Sequence, residues 1–460
     1  MDHKRGSFSG KIGFVLSAAG ASVGLGNIWR FPYLAAKYGG AIFLLVYIIL
    51  AMTFGYTMII AETSIGRMTG KSPVGAYKSF SDKPALRVGG WINAIIPILI
   101  VPYYSVIGGW VIKYLAEYLM GKAHLVAEDG YFSSFISNGV SSELCFLVFT
   151  AMTLAIIFAG VENGIERVSK IMMPILVVLS LIIAVYSVTR PGALEGVKYF
   201  LVPNLDNFSW MTVVSAMGQM FYSLSIAMGI LITFGSYMKK DVSIESSTRN
   251  VEVFDTAIAI MAGLMIIPAV FAFSGGDPGA LKAGPSLMFI TIPKVFDSMG
   301  FGTVIGIAFF LLVLFAALTS SISLIEGVVA FLTERFGWKR KPTTIIVCTL
   351  MFLIGCLYTM SQAAFNIKGI WFDFANGVSF PIFGDFMEFL TDRLMIPLCA
   401  LGVCIFTGWI WKPANAVHEI ELDGKPFKLA KVYSVLVKYV APISILLIIV
   451  ASFVTGTTLS

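Results

Sequence analysis

Charged residues are scarce in this 460-residue chain. Asp, Glu, Lys and Arg make up 13% of it, whereas 57% is hydrophobic and the mean hydropathy is +0.87. This composition excludes a soluble globular protein of this size, because too few polar side chains remain to face water. The apolar residues form repeated runs of about 20 residues, the length of a helix that crosses a bilayer. The composition therefore predicts a polytopic α-helical membrane protein.

Cysteine, histidine and dense basic clusters are also scarce. The five cysteines lie in or beside apolar runs, and their spacing fits neither a zinc site nor a disulfide framework, so buried packing is their expected role. His3, His124 and His418 lie outside the apolar runs and form no metal-binding pair, which weighs against an intramembrane enzyme. The net charge of +6 is spread over loops, so no nucleic-acid partner is predicted. A filter-like repeat, expected of a channel, is missing too.

Eleven apolar runs predict eleven membrane spans in a single transmembrane domain, residues 1–460. The runs lie near 11–37, 41–67, 89–120, 143–160, 168–189, 211–238, 252–274, 300–333, 342–361, 385–411 and 432–456. Lys and Arg are concentrated in alternate loops, which predicts a cytoplasmic N-terminus and, with an odd span number, an extracytoplasmic C-terminus. Two outer loops, 275–299 and 362–384, are long enough to carry structure. The predicted location is the plasma (inner) membrane, in contact with the lipid bilayer, and a monomer is compatible with the sequence.

The stretch Gly20–Pro32 interrupts the first span. Its three glycines each weaken a helix by roughly 1 kcal/mol relative to alanine, and the polar Asn27 and Arg30 follow. Pro32 disfavours helix at the residue before it. Unwound backbone at membrane depth is tolerated only where it is buried in protein or lines a cavity. We therefore predict a broken helix whose free carbonyls and amides bind a polar ligand.

A second interruption, Met217–Gly229, lies in the sixth span. Ser223, Ser225 and Gly229 are the residues expected to free backbone there. Spans 1 and 6 occupy corresponding places in two five-span halves, about 11–189 and 211–411, with span 11 at about 432–456. Paired interrupted helices are typical of a transporter site at the midplane of an inverted repeat.

These interruptions and other motifs resemble the neurotransmitter:sodium symporter family. The matching stretches are Gly24–Pro32, Ala61–Arg67 with Glu62, the pair Tyr103–Tyr104, Gly218–Gly229 and Leu314–Ser321, in the family's order from Arg5 to about residue 440. The resemblance implies an all-α LeuT-type fold, a 5+5 inverted repeat with broken helices 1 and 6 and about eleven helices. It also implies a sodium-coupled amino-acid symporter of the bacterial branch, which is not an enzyme and lacks the family's twelfth span.

The resemblance implies two sodium sites. The first would comprise the carbonyl of Ser22 with Asn27, Ser223 and Asp255, and the second the carbonyls of Gly20, Val23 and Ala316 with the hydroxyls of Thr319 and Ser320. Sodium is a hard cation that prefers such oxygen ligands. An ionisable group inside a span is costly, so Asp255 has a functional role by default. It would replace the charge that vertebrate relatives take from chloride, which predicts chloride-independent transport. The alternative is that Asp255 is solvated at the cytoplasmic end of span 7.

Gly24 stands where monoamine-carrying relatives place an aspartate, which predicts an α-amino acid with its own carboxylate. Helix N-terminal amides near Leu25 and Gly26 favour an anion, and Tyr104 adds a hydroxyl donor. The predicted substrate-binding residues are Ser22, Leu25, Gly26, Ile100, Tyr104, Tyr222, Ser223, Ser225, Ala227, Met228, Ser320 and Leu324. The side-chain pocket is mostly apolar, which predicts a hydrophobic or aromatic amino acid.

Charge pairs predict an outer gate in which Arg30 meets an acid of span 10. Glu388 aligns best, with Asp373 and Asp385 as alternatives. Gln219 is expected to support Arg30, and Tyr222 to cover the substrate.

Inside, Arg5 would pair with Glu334, assisted by Tyr237. Ordinary solvated ion pairs, worth ~0–1 kcal/mol, are the alternative for exposed members of both gates. Glu62 and Glu326 are expected to cap the freed backbone of spans 1 and 6, with proton coupling as the alternative.

Overall fold

The computed structural model of the chain describes residues 6–80, 84–282, 284–362, 371–373, 378–380 and 383–455. Within these ranges, nine helices are long and apolar enough to cross a membrane, and a helix pair bent by 54° makes a tenth. The sixth predicted span completes the eleven, as two shorter helices separated by a longer break. The prediction of eleven spans with breaks in the first and sixth therefore agrees with the observed helices.

The spans are numbered in chain order. Span 1 comprises Lys11–Ser22 and Gly26–Lys37, span 2 is Ala41–Thr69, span 3 Arg87–Leu119, span 4 Gly139–Phe158, span 5 Val161–Val188, span 6 Trp210–Ser223 with Ile230–Gly235, span 7 Ile244–Ser274, span 8 Gly302–Phe336, span 9 Arg340–Gln362, span 10 Phe386–Ile410 and span 11 Ala430–Val450. Shorter helices in the connections are Pro73–Phe80, Ala123–Ala127, Tyr131–Ser137, Ala193–Leu201, Ile292–Asp297 and Pro413–Ile420.

Both long connections carry structure. The first contains the short helical turns Pro278–Ala280 and Leu287–Thr291 before the helix Ile292–Asp297. The second contains two antiparallel strands, β1 (Trp371–Asp373) and β2 (Val378–Phe380), with Trp371 opposite Phe380. We call the end of the helix bundle where span 1 begins the inner end, and the opposite end, which carries these connections, the outer end.

Burial separates central spans from peripheral ones. The most apolar window of span 3 is 78% buried and that of span 8 is 67% buried, whereas the windows of spans 4, 5 and 11 are 28%, 33% and 33% buried. The first half of span 1 packs against spans 5, 7 and 8, and span 3 packs against span 8. The two halves of span 6 pack against span 2. Both broken spans thus lie among other helices, where their freed backbone groups can find partners inside the protein.

Local sequence sets the start of span 6. The Ser209 hydroxyl accepts the Thr212 amide at 3.2 Å, and the Thr212 hydroxyl accepts the Ser209 amide at 3.2 Å. This reciprocal capping satisfies amides that the first helical turn leaves without partners.

Candidate functional site

Span 1 breaks between Ser22 and Gly26. Val23 adopts an extended conformation (φ −73°, ψ 100°) that ends the first half. The Gly24 amide donates to Asn27 Oδ1 at 3.0 Å, and the Leu25 amide donates to the Tyr104 hydroxyl at 3.3 Å. The amides at the start of the second half therefore face side-chain oxygens that bound ligand oxygens could replace.

Span 6 breaks between Ser223 and Ile230. Ser225, Ala227 and Gly229 have positive φ angles of 53°, 62° and 73°, a region that side-chain-bearing residues adopt at a cost of roughly 1–2 kcal/mol. The Ala227 amide donates to Glu62 Oε1 at 2.7 Å. Glu62 therefore caps the freed backbone of span 6, as predicted.

The two breaks face a common cavity whose empty volume is about 370 Å³. Its lining comprises Ala21, Ser22, Gly24, Leu25, Gly26, Asn27, Ile100, Tyr104, Tyr222, Ser223, Ser225, Met228, Ser320 and Leu324. Every predicted substrate-binding residue lines this cavity except Ala227, which is fully buried behind it with its amide bound to Glu62. We call this space the substrate cavity.

Asp255 lies at the centre of a polar cluster beside the substrate cavity. Its carboxylate is fully buried and accepts hydrogen bonds from Asn27 Nδ2 at 2.8 Å, from the Ser223 hydroxyl at 2.8 and 2.9 Å, and from the Tyr47 hydroxyl at 2.9 Å. The alternative that Asp255 is simply solvated is wrong. Asn27 and Ser223 also line the cavity, as does Ser22, so the residues of the predicted first sodium site lie together.

A second oxygen cluster surrounds Ser320. Its hydroxyl lies 3.3, 3.2 and 3.3 Å from the carbonyl oxygens of Gly20, Ala21 and Val23. The neighbouring Thr319 hydroxyl lies 2.9 Å from the Phe315 carbonyl and 3.1 Å from the Ala316 carbonyl of its own helix, and a Cβ placed on Gly20 would be 3.1 Å from Thr319 Cβ. The residues of the predicted second sodium site thus lie where span 8 meets the break of span 1, and the Ala21 carbonyl joins them. Convergent carbonyl and hydroxyl oxygens suit a hard cation.

Tyr222 separates the substrate cavity from a larger outer cavity. The outer cavity has an empty volume of about 1290 Å³, and Tyr104 and Tyr222 line both cavities. The Arg30 guanidinium lies 4.8 Å from the centre of the Tyr222 ring, a cation–π contact. Gln219 does not support Arg30 as predicted; it donates to the Gly26 carbonyl at 3.1 Å and so holds the second half of span 1.

The structure brings a second span 10 acid to Arg30. Glu388 lines the outer cavity with Arg30, but its side chain is exposed, whereas Asp392 is buried and shares both the outer cavity and a smaller neighbouring one with Arg30. The side chains of the alternatives Asp373 and Asp385 lie outside the described part of the structure. Our sequence analysis missed Asp392, although a carboxylate one helical turn deeper in the span was a visible signal.

Two groups of polar contacts lie at the inner end of the described structure. The Tyr237 hydroxyl donates to Glu326 Oε1 at 2.6 Å, and Arg340 donates to the same carboxylate at 2.8 and 2.5 Å. The expectation that Glu326 caps a broken span is therefore wrong. Glu334 accepts the Ser72 amide at 2.6 Å, and its predicted partner Arg5 lies outside the described residues.

Tyr47 is the other residue that our sequence analysis missed. It lies within an apolar run, yet its buried hydroxyl bonds to Asp255. A buried tyrosine hydroxyl usually has a hydrogen-bond partner, so this residue could have been flagged, but nothing in the sequence named its partner.

Known proteins resemble this chain along nearly its whole length. The model of the sodium:neurotransmitter symporter family matches residues 5–126 and 132–460. The uncharacterized sodium-dependent transporter YhdH of Bacillus subtilis is 33% identical over 453 residues, covering 97% of each chain, and an uncharacterized sodium-dependent transporter of Haemophilus influenzae is 31% identical over 469 residues, covering 98% of each. The crystal structure of MhsT in complex with L-phenylalanine superimposes with a TM-score of 0.86 at 35% identity, covering 97% of this chain and 100% of MhsT.

Proposed function

Because this chain belongs to the sodium:neurotransmitter symporter family, we propose that it imports neutral, hydrophobic or aromatic L-amino acids together with sodium. The family consists of transporters rather than enzymes, and the chain is a multi-pass membrane protein with a sodium-dependent symporter's fold. We further propose two sodium sites, alternating access and independence of chloride.

The sharing of Asn27 and Ser223 between the substrate cavity and the Asp255 cluster carries this proposal. A sodium ion held by these oxygens would lie next to a substrate carboxylate in the cavity. Each ligand would then strengthen the binding of the other, which is a coupling free energy between adjacent sites. Such coupling lets inward sodium flow drive amino-acid uptake.

The space around Gly24 supports a substrate that carries its own carboxylate. A Cβ on Gly24 would lie 2.7 Å from Ser320 Oγ and 3.0 Å from the Tyr104 hydroxyl oxygen, so an acidic side chain there would require both hydroxyls to move. Ile100, Met228 and Leu324 line the cavity with apolar surface, and the neighbour MhsT was crystallised with L-phenylalanine. These features favour an amino acid with a hydrophobic or aromatic side chain.

Asp255 supports the proposal of chloride independence. Its carboxylate places a fixed negative charge beside the proposed first sodium site, where a bound anion would otherwise be needed to balance sodium. The concentration of Lys and Arg in alternate loops supports a cytoplasmic inner end, in the plasma membrane.

Uptake into proteoliposomes tests this function. We expect labelled phenylalanine to accumulate only with an inward sodium gradient, and leucine, tryptophan and tyrosine to compete better than the other amino acids. Replacing chloride by gluconate should leave uptake unchanged. Preference for Asp, Glu or Lys would contradict the pocket assignment, sodium-independent accumulation would contradict symport, and loss of uptake in gluconate would contradict the role of Asp255.

The second sodium site has its own test. Thr319→Ala combined with Ser320→Ala removes both hydroxyls, and we expect a higher sodium concentration for half-maximal uptake. Ser323→Ala is the matched control, because this buried hydroxyl donates at 2.8 Å to the Thr319 carbonyl of its own helix. Unchanged sodium dependence in the double variant would show that the site is misassigned.

A further inference from the structure

A basic cavity lies at the inner end, between the connection after span 2, the start of span 3 and the end of span 8. Its empty volume is about 850 Å³, and it shares no lining residue with the substrate cavity. Among the described residues that line it, four are basic, Lys71, Lys78, Arg87 and Arg335, and one is acidic, Glu334. These described lining residues together carry a formal charge of +3.

The Glu334 carboxylate is partly engaged by the backbone and does not only face the basic side chains. Glu334 accepts the Ser72 amide at 2.6 Å, at the start of the short helix Pro73–Phe80. One oxygen of its carboxylate is therefore committed to a helix N-terminus, a position that favours negative charge. A concave surface dominated by charge of one sign concentrates ions of the opposite sign.

Ser72 provides a second, independent indication of a ligand. Ser72 is 1% exposed and lines the cavity, and its hydroxyl has no hydrogen-bond partner among the residues that the structure describes. A buried hydroxyl without a partner is costly, by about 1–3 kcal/mol. An anion with several oxygen atoms would accept a hydrogen bond from this hydroxyl and attract the basic groups around it.

The position of the cavity relates it to the membrane surface. Arg87 is the first residue of span 3, and Arg335 lies one residue before the end of span 8. Trp91, 39% exposed, lines the same cavity and packs edge-on against Phe331 with ring centres 5.3 Å apart. Tryptophan is enriched at the level of lipid headgroups. The basic cavity thus adjoins an aromatic edge at the depth where spans leave the hydrocarbon layer.

We propose that this cavity binds the phosphate group of an anion, and that the adjoining Trp91 edge favours an anionic phospholipid headgroup over free phosphate. Basic pockets between membrane helices on the cytoplasmic side are suited to such headgroups. Lys and Arg also accumulate on this side for topological reasons. This loop bias, however, does not explain why the basic side chains converge on one cavity. It also does not explain why a buried Ser72 hydroxyl lies in the lining of that cavity.

A thermal-stability titration tests the site. Purified protein is melted in neutral detergent while phosphatidylglycerol, phosphatidylcholine or inorganic phosphate is added. The cavity variant is Lys71→Gln, Lys78→Gln and Arg335→Gln, three exposed positions. The control variant is Lys425→Gln, Lys428→Gln and Lys431→Gln, which removes the same charge from exposed positions at and just before the start of span 11, on the same side of the membrane.

We expect phosphatidylglycerol, but not phosphatidylcholine, to raise the melting temperature of the wild type and the control variant. The phosphatidylglycerol concentration for half-maximal stabilisation should rise roughly tenfold to a hundredfold in the cavity variant, since each basic group near an anionic surface contributes about fivefold. Equal stabilisation by inorganic phosphate would support a phosphate site but overturn the lipid assignment. An equal loss in both variants, or no stabilisation of the wild type, would overturn the site.

A second measurement keeps all the basic groups. Brominated phosphatidylglycerol should quench a larger fraction of tryptophan fluorescence in the wild type than in Trp91→Phe, because Trp91 adjoins the proposed headgroup. Identical quenched fractions in the two proteins would contradict the proposal.

Discussion

Replacing Gly26 by alanine tests whether Tyr222 must cover the substrate cavity for binding. Gly26 begins the second half of span 1, and both residues line the cavity. A Cβ on Gly26 would lie 2.7 and 2.8 Å from two carbon atoms of the Tyr222 ring. Non-bonded carbon atoms prefer separations of about 3.5–4.0 Å, so the ring would have to move by roughly 1 Å, away from its place between the two cavities.

The cost of this contact falls on one conformation only. Overpacking a well-packed site costs about 1–3 kcal/mol, and the cost disappears when the ring swings away from Gly26. The covered state would therefore lose a factor of roughly 5 to 150 in population relative to the open state. Because substrate is held in the covered state, we expect amino-acid affinity to fall by the same factor, whereas sodium binding without amino acid should change little.

Equilibrium binding of labelled phenylalanine to purified protein at saturating sodium measures this effect. Gly402→Ala in span 10 is the matched control, because a Cβ there would meet nothing within 4 Å and alanine favours a helix over glycine by about 1 kcal/mol. The control should bind normally and melt at the same or a higher temperature. Wild-type affinity in Gly26→Ala would refute the role of Tyr222 as a lid, and a large drop in its melting temperature in sodium alone would refute the claim that only the covered state is strained.

Three further changes test other parts of the site. Glu62→Ala removes the acceptor of the Ala227 amide, and we expect the free energy of unfolding to fall by about 1–3 kcal/mol, with Glu62→Gln affected less; equal melting temperatures for both variants and the wild type would contradict capping. Asp255→Asn removes a buried charge, so uptake in gluconate should be lost and chloride should partly restore it. Equal uptake by this variant with and without chloride would count against charge balance at residue 255. Asp392→Asn should reduce uptake at least tenfold, since losing a buried charge partner costs about 3–5 kcal/mol. Glu388→Gln should reduce uptake less than about threefold, since an exposed charge partner contributes about 0–1 kcal/mol. The opposite order would assign the outer gate to Glu388.

The membrane class, the spans and both breaks follow from the amino-acid sequence. These features depend on neighbours in the chain: apolar run length sets the spans, and glycine, serine and proline weaken a helix within one or two turns. The motifs of the family then identified most of the lining. Asn27, Ser223 and Asp255 were grouped correctly although they lie on three different spans, because the resemblance supplied a contact that local pattern cannot.

Tertiary packing alone decided which distant groups meet. Glu326 could have capped a broken helix, but the observed packing places it between Tyr237 and Arg340. Asp392 rather than Glu388 is the buried acid near Arg30, although the two are one helical turn apart. A displacement of one helical turn along the helix axis moves a side chain between solvent and core, and the depth of each turn depends on how the neighbouring spans pack. For the same reason, the convergence of Lys71, Lys78, Arg87 and Arg335 on one cavity emerges only in the folded chain.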